Sequence, residues 1–212
     1  MPEPMRLTTA DGVTLEAELA LPDGAPRCGM ALCHPHPQYG GTMRSIVISA
    51  LFDALPPRGV ACLRFNFRGV EGSEGEHDFG NLERVDAETA VSALRERLSP
   101  GTPLILTGWS FGADMALSVR DPHVDAWMAI APPVVVVHDI DGLTGDPRPK
   151  LLVLAQHDEY RDPAEVTELA EPWANTDVHV VGGASHFFVG RTDRLVELAA
   201  GYVDELAPAS TV

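Results

Sequence analysis

Basic side chains are scarce in this sequence. Among its 212 residues, 15 Lys and Arg stand against 31 Asp and Glu, so the formal net charge is −16. A surface this acidic repels nucleic-acid phosphates and anionic lipid headgroups, and no cluster of Lys or Arg offsets the repulsion. We therefore expect no nucleic-acid partner and no membrane partner. The sequence carries no signal for an oligomeric state.

Long apolar segments and cysteine motifs are also missing. The longest stretch without a charged or strongly polar residue, 126–137, contains two prolines and is shorter than the roughly 20 apolar residues of a membrane-spanning helix. Residues 1–6 do not have the pattern of a signal peptide. The three cysteines, Cys28, Cys33 and Cys62, form no CxxC motif and lie in or beside apolar runs, which predicts buried free thiols. Together these features predict a cytoplasmic protein.

The pattern of apolar residues predicts an α/β fold. Residues 13–21 alternate between apolar and polar, as in a half-exposed edge strand, and pair in a hairpin with residues 6–9. Helical periodicity is seen over 81–98 and 195–206. The remaining apolar runs are short and mostly continuous, as in parallel strands covered on both faces: Met30–Cys33, Val60–Phe65, Leu104–Thr107, Trp127–Ala131, Leu151–Ala155 and Val178–Val181. We expect a single domain spanning 1–212, with a mainly parallel central sheet and helices on both faces.

The residues Gly108-Trp109-Ser110-Phe111-Gly112 form a G-x-S-x-G motif between a predicted strand and a predicted helix. This setting is typical of a nucleophile elbow, in which a sharp turn presents the serine hydroxyl above the end of the sheet. Small residues are needed because the turn crowds the backbone. The motif predicts Ser110 as a nucleophile and the N–H group of Phe111 as a donor to an oxyanion.

A serine nucleophile needs a base, and the base needs an orienting carboxylate. In this fold the chain order is serine, acid, histidine. Asp158 follows one predicted strand and His186 follows the next, so both are expected at the carboxyl edge of the sheet, where ligands bind. The rival carboxylates are Asp162, which resembles a helix cap, and Asp139 or Asp141, which follow an earlier strand.

The loop after the first parallel strand, His34–Gly41, is expected to supply the second oxyanion donor. Pro35 and Pro37 have no N–H group, which leaves the amides of His36, Gln38 and Tyr39, and we favour His36. A metal site built from the two histidines of this loop lacks a convincing third ligand. We therefore expect no metal and no cofactor.

Several other residues have structural and functional interpretations. Arg68 is more consistent with an ion pair to Glu83 or Asp86 than with a contact to an anionic substrate. Trp109 and Tyr39 are the residues that we expect to contact the substrate. The Gly- and Pro-containing stretch 138–149 is expected to be an irregular loop beside the site.

The chain resembles the small bacterial α/β-hydrolases related to dienelactone hydrolase. The shared blocks are His34–Pro37 with Gly40–Met43, Arg64–Val70, Gly108–Gly112, Ala131–Pro133 and Ser185–Phe188. The resemblance implies a minimal hydrolase without a large cap domain, with Ser110, Asp158 and His186 as its catalytic triad. The chain departs from the family pattern at Glu71 and Ala155, where the family tends to have Gly. Dienelactone hydrolase itself uses a cysteine nucleophile, so its substrate is not implied.

The function predicted from these features is hydrolysis of a small carboxylic ester, lactone or thioester through an acyl-enzyme. His186 would accept the proton of Ser110, and Asp158 would orient the imidazole. Two alternatives remain at this point. The same triad can carry lyase or cyclisation chemistry, because a fold does not determine a reaction, or the chain can be a non-catalytic binding protein of the same fold.

Overall fold

One eight-stranded sheet organises the chain in the computed structural model, which describes residues 2–208. The strands are β1 Glu3–Thr8, β2 Thr14–Ala20, β3 Cys28–Cys33, β4 Val60–Phe65, β5 Leu104–Trp109, β6 Ala126–Ile130, β7 Lys150–His157 and β8 Thr176–Ser185. The α-helices are α1 Ile46–Ala54, α2 Glu83–Arg95, α3 Phe111–Ser118, α4 Ile140–Gly145, α5 Pro163–Ala170 and α6 Thr192–Leu206. The predicted α/β fold is confirmed.

The strand order is β1-β2-β4-β3-β5-β6-β7-β8. Strands β3 to β8 are mutually parallel where they pair, whereas β2 is antiparallel to both β1 and β4. The carboxyl ends of the six parallel strands therefore meet at one edge of the sheet. Loops that leave this edge carry the residues predicted to be functional.

The expectation that residues 13–21 form an edge strand is wrong in one respect. The segment is half-exposed, with Leu15, Ala17 and Leu19 buried in alternation, but β1 covers its outer side. The alternation of apolar and polar residues indicates that one face of the strand is exposed to solvent. It does not indicate which strand lies at the edge of the sheet.

The expectation that residues 138–149 form an irregular loop is also wrong in part, because this stretch contains the short helix α4.

Two apolar cores lie on opposite faces of the sheet. Strand β3 shows the division: Ala31 and Cys33 pack in the core with α2, α3 and α5, whereas Met30 and Leu32 pack in the core with α1 and α6. Because both faces are covered, β3 is buried at every position. This explains why its sequence is continuously apolar.

The three cysteines are buried and free, as predicted. Burial raises the pKa of the Cys28 thiol to about 12 and raises the pKa values of Cys33 and Cys62 as well. Their thiols are therefore unreactive core groups.

Within residues 2–208, none of the helices is long and apolar enough to span a membrane.

A buried ion pair joins the loop after β4 to α2. The Arg68 side chain is 2% exposed, and its Nη2 lies 2.6 Å from Oδ1 of Asp86, whose side chain is fully buried. The backbone N–H of Arg68 also donates to Asp86, and Nη1 reaches Asp11 in the turn between β1 and β2 at 2.9 Å. Of the two partners considered for Arg68, Asp86 is therefore the one that pairs with it. Burial raises the pKa of Asp86 despite the hydrogen bonds from Arg68.

We predict that Asp86→Asn lowers the free energy of unfolding by roughly 3–5 kcal/mol, because it leaves the guanidinium of Arg68 buried with only the partly exposed Asp11 as a charge partner. Urea unfolding of the wild type and the variant measures the difference. Glu88→Gln is the matched control, since it removes a carboxylate from the half-exposed pair with Arg84 and should cost less than about 1 kcal/mol. Equal losses for the two variants would contradict a structural role of the buried pair.

Candidate active site

Ser110 occupies a sharp turn between β5 and α3. Its backbone has φ 56° and ψ −123°, a conformation that is costly for a residue with a side chain. The turn is held by hydrogen bonds from the Ser110 N–H to the carbonyl of Ile130 (2.8 Å) and from the Ala113 N–H to the carbonyl of Ser110 (2.8 Å). The serine is thereby held at the carboxyl edge of the sheet, partly accessible to solvent.

The two glycines of the motif are required by backbone contact. A Cβ at Gly108 would lie well inside van der Waals distance of the Gly112 carbonyl, and a Cβ at Gly112 would overlap the carbonyl oxygens of Cys33 and His34. The first turn of α3 therefore packs directly on the end of β3. This contact brings the N–H groups at the start of α3 beside the loop that follows β3.

The structure brings together the three residues of the predicted triad. The Nε2 atom of His186 lies 2.9 Å from Oγ of Ser110, and its Nδ1 atom lies 2.8 Å and 3.0 Å from the carboxylate oxygens of Asp158. The side chains of His186 and Asp158 are only 6% and 4% exposed. Both residues come directly after a strand, since β7 ends at residue 157 and β8 at residue 185.

The carboxylate of Asp158 is held in its ionised form. Burial alone would raise its pKa, but hydrogen bonds from His186 and from the backbone N–H groups of Tyr160 and Arg161 outweigh burial, so the pKa lies below the ordinary value for Asp. The rival carboxylates are placed elsewhere. Asp162 caps α5 and Asp139 caps α4.

The backbone of His186 is held by two further side chains. The indole Nε1–H of Trp109 donates to the His186 carbonyl at 3.0 Å, and a carboxylate oxygen of Glu159 accepts the His186 N–H at 3.0 Å. Trp109 is 3% exposed, so its placement favours a supporting role over the substrate contact that we expected. The ring of Tyr160 lies 4.6 Å from the imidazole.

Sequence reasoning missed Glu159 and Tyr160, although both directly follow the predicted acid. Consecutive residues on a tight loop can all reach the same neighbour, and here Asp158, Glu159 and Tyr160 each contact a different part of His186. Their adjacency to Asp158 was the available signal.

The loop after β3 is rigid and compact. Both ring nitrogens of His34 are engaged, Nδ1 with the Pro35 carbonyl and Nε2 with the Phe67 N–H. Burial lowers the pKa of His34 to about 3, so the residue is neutral and structural, with no nitrogen free for a metal. A Cβ at Gly41 would overlap the Pro35 carbonyl, so the loop closes tightly on itself.

The loop offers few free amide donors near the serine. The N–H of Tyr39 donates to the His36 carbonyl, and the N–H of Gln38 donates to Nδ1 of the His36 ring. Within residues 2–208, the N–H groups of His36 and Phe111 donate to no protein acceptor. In the same range, no three His, Cys, Asp or Glu side chains are placed to hold a metal ion.

Comparisons with known proteins identify hydrolases of similar structure. No protein-family model matches the sequence. An uncharacterised protein of Rickettsia prowazekii is 33% identical over 190 residues, which cover 84% of this chain and 80% of that protein. An α/β serine hydrolase homologue from Coxiella burnetii is 32% identical, with a TM-score of 0.84 over 94% of this chain and 96% of its own. A lidless α/β serine hydrolase from Xanthomonas campestris is 27% identical, with a TM-score of 0.83 over 99% and 97%.

A lidless hydrolase fold, a serine on a strained turn and a neighbouring histidine all agree with these similarities. The chain belongs to the α/β serine hydrolase family.

Proposed function

We propose that this protein is a cofactor-independent serine esterase that cleaves a small carboxylic ester, lactone or thioester through an acyl-enzyme. The observation that carries the proposal is the hydrogen-bonded chain from Ser110 Oγ through His186 to Asp158, at 2.9 Å and 2.8 Å. The first distance suits direct proton transfer from Ser110 to His186, and the second suits a hydrogen bond that orients the imidazole. A small-molecule substrate agrees with membership of a hydrolase family.

In the proposed reaction, Ser110 Oγ attacks the carbonyl carbon while Nε2 of His186 accepts the hydroxyl proton. The imidazolium that forms is stabilised by the ionised carboxylate of Asp158. His186 then donates the proton to the departing oxygen or sulfur, the bond from the carbonyl carbon to that atom breaks, and the acyl group remains on Ser110. In the second half, His186 removes a proton from water as the water attacks the acyl carbon. The bond from that carbon to Ser110 Oγ then breaks, His186 returns the proton to Oγ, and the acid is released.

We assign the oxyanion hole to the N–H groups of Phe111 and His36. The assignment rests on two observations: neither group donates to a protein acceptor within residues 2–208, and the contact of Gly112 with the end of β3 brings the two segments together. Backbone donors fixed in advance stabilise the developing negative charge without reorganisation during the reaction. Tyr39, whose side chain is 87% exposed and lies against the ring of His36, remains our candidate for a substrate contact on this side.

We also propose a closer family relation and a cellular location. A closer relation to dienelactone hydrolase is supported by the blocks of sequence named above. A cytoplasmic location is supported by the three buried free thiols, which suit a reducing compartment.

The proposal predicts that a fluorophosphonate adds once to the wild-type protein and not at all to Ser110→Ala, as measured by intact mass. Ser99→Ala is the control, because it removes an exposed serine remote from the motif and should label like the wild type. Absence of an adduct on the folded wild type would overturn the proposed function.

Asp158→Asn is predicted to lower kcat for a small ester by roughly 10³–10⁴-fold, because the amide neither fixes the imidazole tautomer nor stabilises the imidazolium. Asp162→Asn is the matched control, since Asp162 caps α5 and its loss should affect stability by about 1 kcal/mol or less without changing kcat. A similar loss of kcat in both variants would contradict the role of Asp158.

We predict that Trp109→Phe lowers kcat by roughly 3- to 10-fold and leaves KM nearly unchanged, because it keeps an aromatic ring but removes one net hydrogen bond to the His186 carbonyl. Trp127→Phe is the matched control. Trp127 is also buried, but its Nε1–H has no partner within residues 2–208. A larger effect on KM than on kcat, or an equal effect in the control, would show that Trp109 does not act by positioning the base.

A further inference from the structure

The exposed aromatic side chains are concentrated around Ser110. Within residues 2–208 they are Tyr39, Phe79, Tyr160 and Phe187, which are 87%, 69%, 68% and 45% exposed. They lie in the loops that follow β3, β4, β7 and β8, four of the strands whose carboxyl ends form the edge of the sheet that carries the serine. Exposure of large apolar rings at one site marks a surface for an apolar ligand.

The four rings form two groups on opposite sides of the nucleophile. Tyr39 and Phe79 lie against His36 and His77, and both of these histidines contact the ring of Phe111 on the oxyanion side. The second group lies on the side of the base.

Tyr160 and Phe187 form the second group, which we call the histidine-side corner. Their ring centroids lie 4.6 Å and 5.6 Å from that of His186. The two rings are 6.1 Å apart and inclined by 76°, so together they make a right-angled apolar corner beside the imidazole. A planar ring can lie against one of them and present its edge to the other.

The chemistry of the triad identifies what this corner contacts. Because Nε2 of His186 must deliver its proton to the departing atom, the departing group lies next to the imidazole. On the strength of the proposed function, we propose that the histidine-side corner is the subsite for the departing alcohol or thiol, and that it selects one carrying an aromatic ring.

The charges around the corner disfavour an anionic departing group. The carboxylates of Asp158 and Glu159 both hydrogen-bond to His186, and they repel an anionic departing group. The cation of the same loop, Arg161, is paired with Glu165 at 3.2 Å. No unpaired cation of this loop therefore attracts an anionic departing group, and the selectivity that we propose comes from aromatic stacking.

The test compares two acetate esters that differ only in the saturation of one ring, benzyl acetate and cyclohexylmethyl acetate. Their acyl groups are identical, so a difference in kcat/KM reports the departing group. We expect the wild type to favour the benzyl ester by roughly 3- to 10-fold, the contribution of aromatic pairing beyond area burial. In Tyr160→Leu, Phe187→Leu and the double variant, we expect this ratio to fall towards 1.

The ratio is an internal standard, because any change in the reactivity of the triad affects both esters equally. Phe79→Leu is the control variant, since it removes an exposed ring of the oxyanion side and should retain the wild-type ratio. The inference is overturned by a wild-type ratio near 1, by a ratio that survives the double variant, or by an equal loss in Phe79→Leu.

Fluorophosphonate labelling separates this inference from the proposed function. If Ser110 is labelled and neither ester is hydrolysed, the subsite assignment is wrong while the nucleophile stands. If Ser110 is not labelled, the proposed function and the inference fall together.

Discussion

The approach of two backbones at Gly112 is the contact on which the site depends. The first turn of α3 lies directly on the carbonyls at the end of β3, with no room for a Cβ at either Gly108 or Gly112. This close contact between the two backbones has two consequences. It forces Ser110 into the conformation that presents its hydroxyl, and it brings the Phe111 amide beside the loop after β3. The proposed nucleophile and the proposed oxyanion donors are therefore positioned by the same packing.

The proposed base, His186, is held by several contacts at the same edge of the sheet. Asp158 fixes the imidazole, Glu159 accepts the backbone N–H of His186, and Trp109 donates to its carbonyl. Because Trp109 precedes Ser110, the turn that presents the proposed nucleophile also supplies a hydrogen-bond donor to the proposed base. A shift of the turn that carries Trp109, or of the loop that carries Asp158 and Glu159, would disturb these contacts. His186 is therefore confined to a narrow range of positions.

The sequence predicted the larger features because they depend on local patterns. Continuous apolar runs indicated strands covered on both faces, and the order of Ser110, Asp158 and His186 indicated their meeting at one edge, which the geometry shows. The choice between Asp158 and Asp162 needed the path of a loop, which no periodicity specifies. The placement of Trp109 depends on its contact with His186, which is distant in sequence. Glu71, which stands where the resembled family tends to have Gly, has φ 47°, so that preference reflected a real backbone constraint here.

The groups that would react and the groups that would select substrate are separated by exposure. His186 and Asp158 are almost completely buried, and their positions are fixed by hydrogen bonds that tolerate little change. The rings of Tyr39, Phe79, Tyr160 and Phe187 project into solvent from four different loops. Substitution of an exposed loop residue usually costs little stability. These four exposed rings can therefore change their preference for a departing or acyl group while the hydrogen-bonded chain from Ser110 through His186 to Asp158 stays intact.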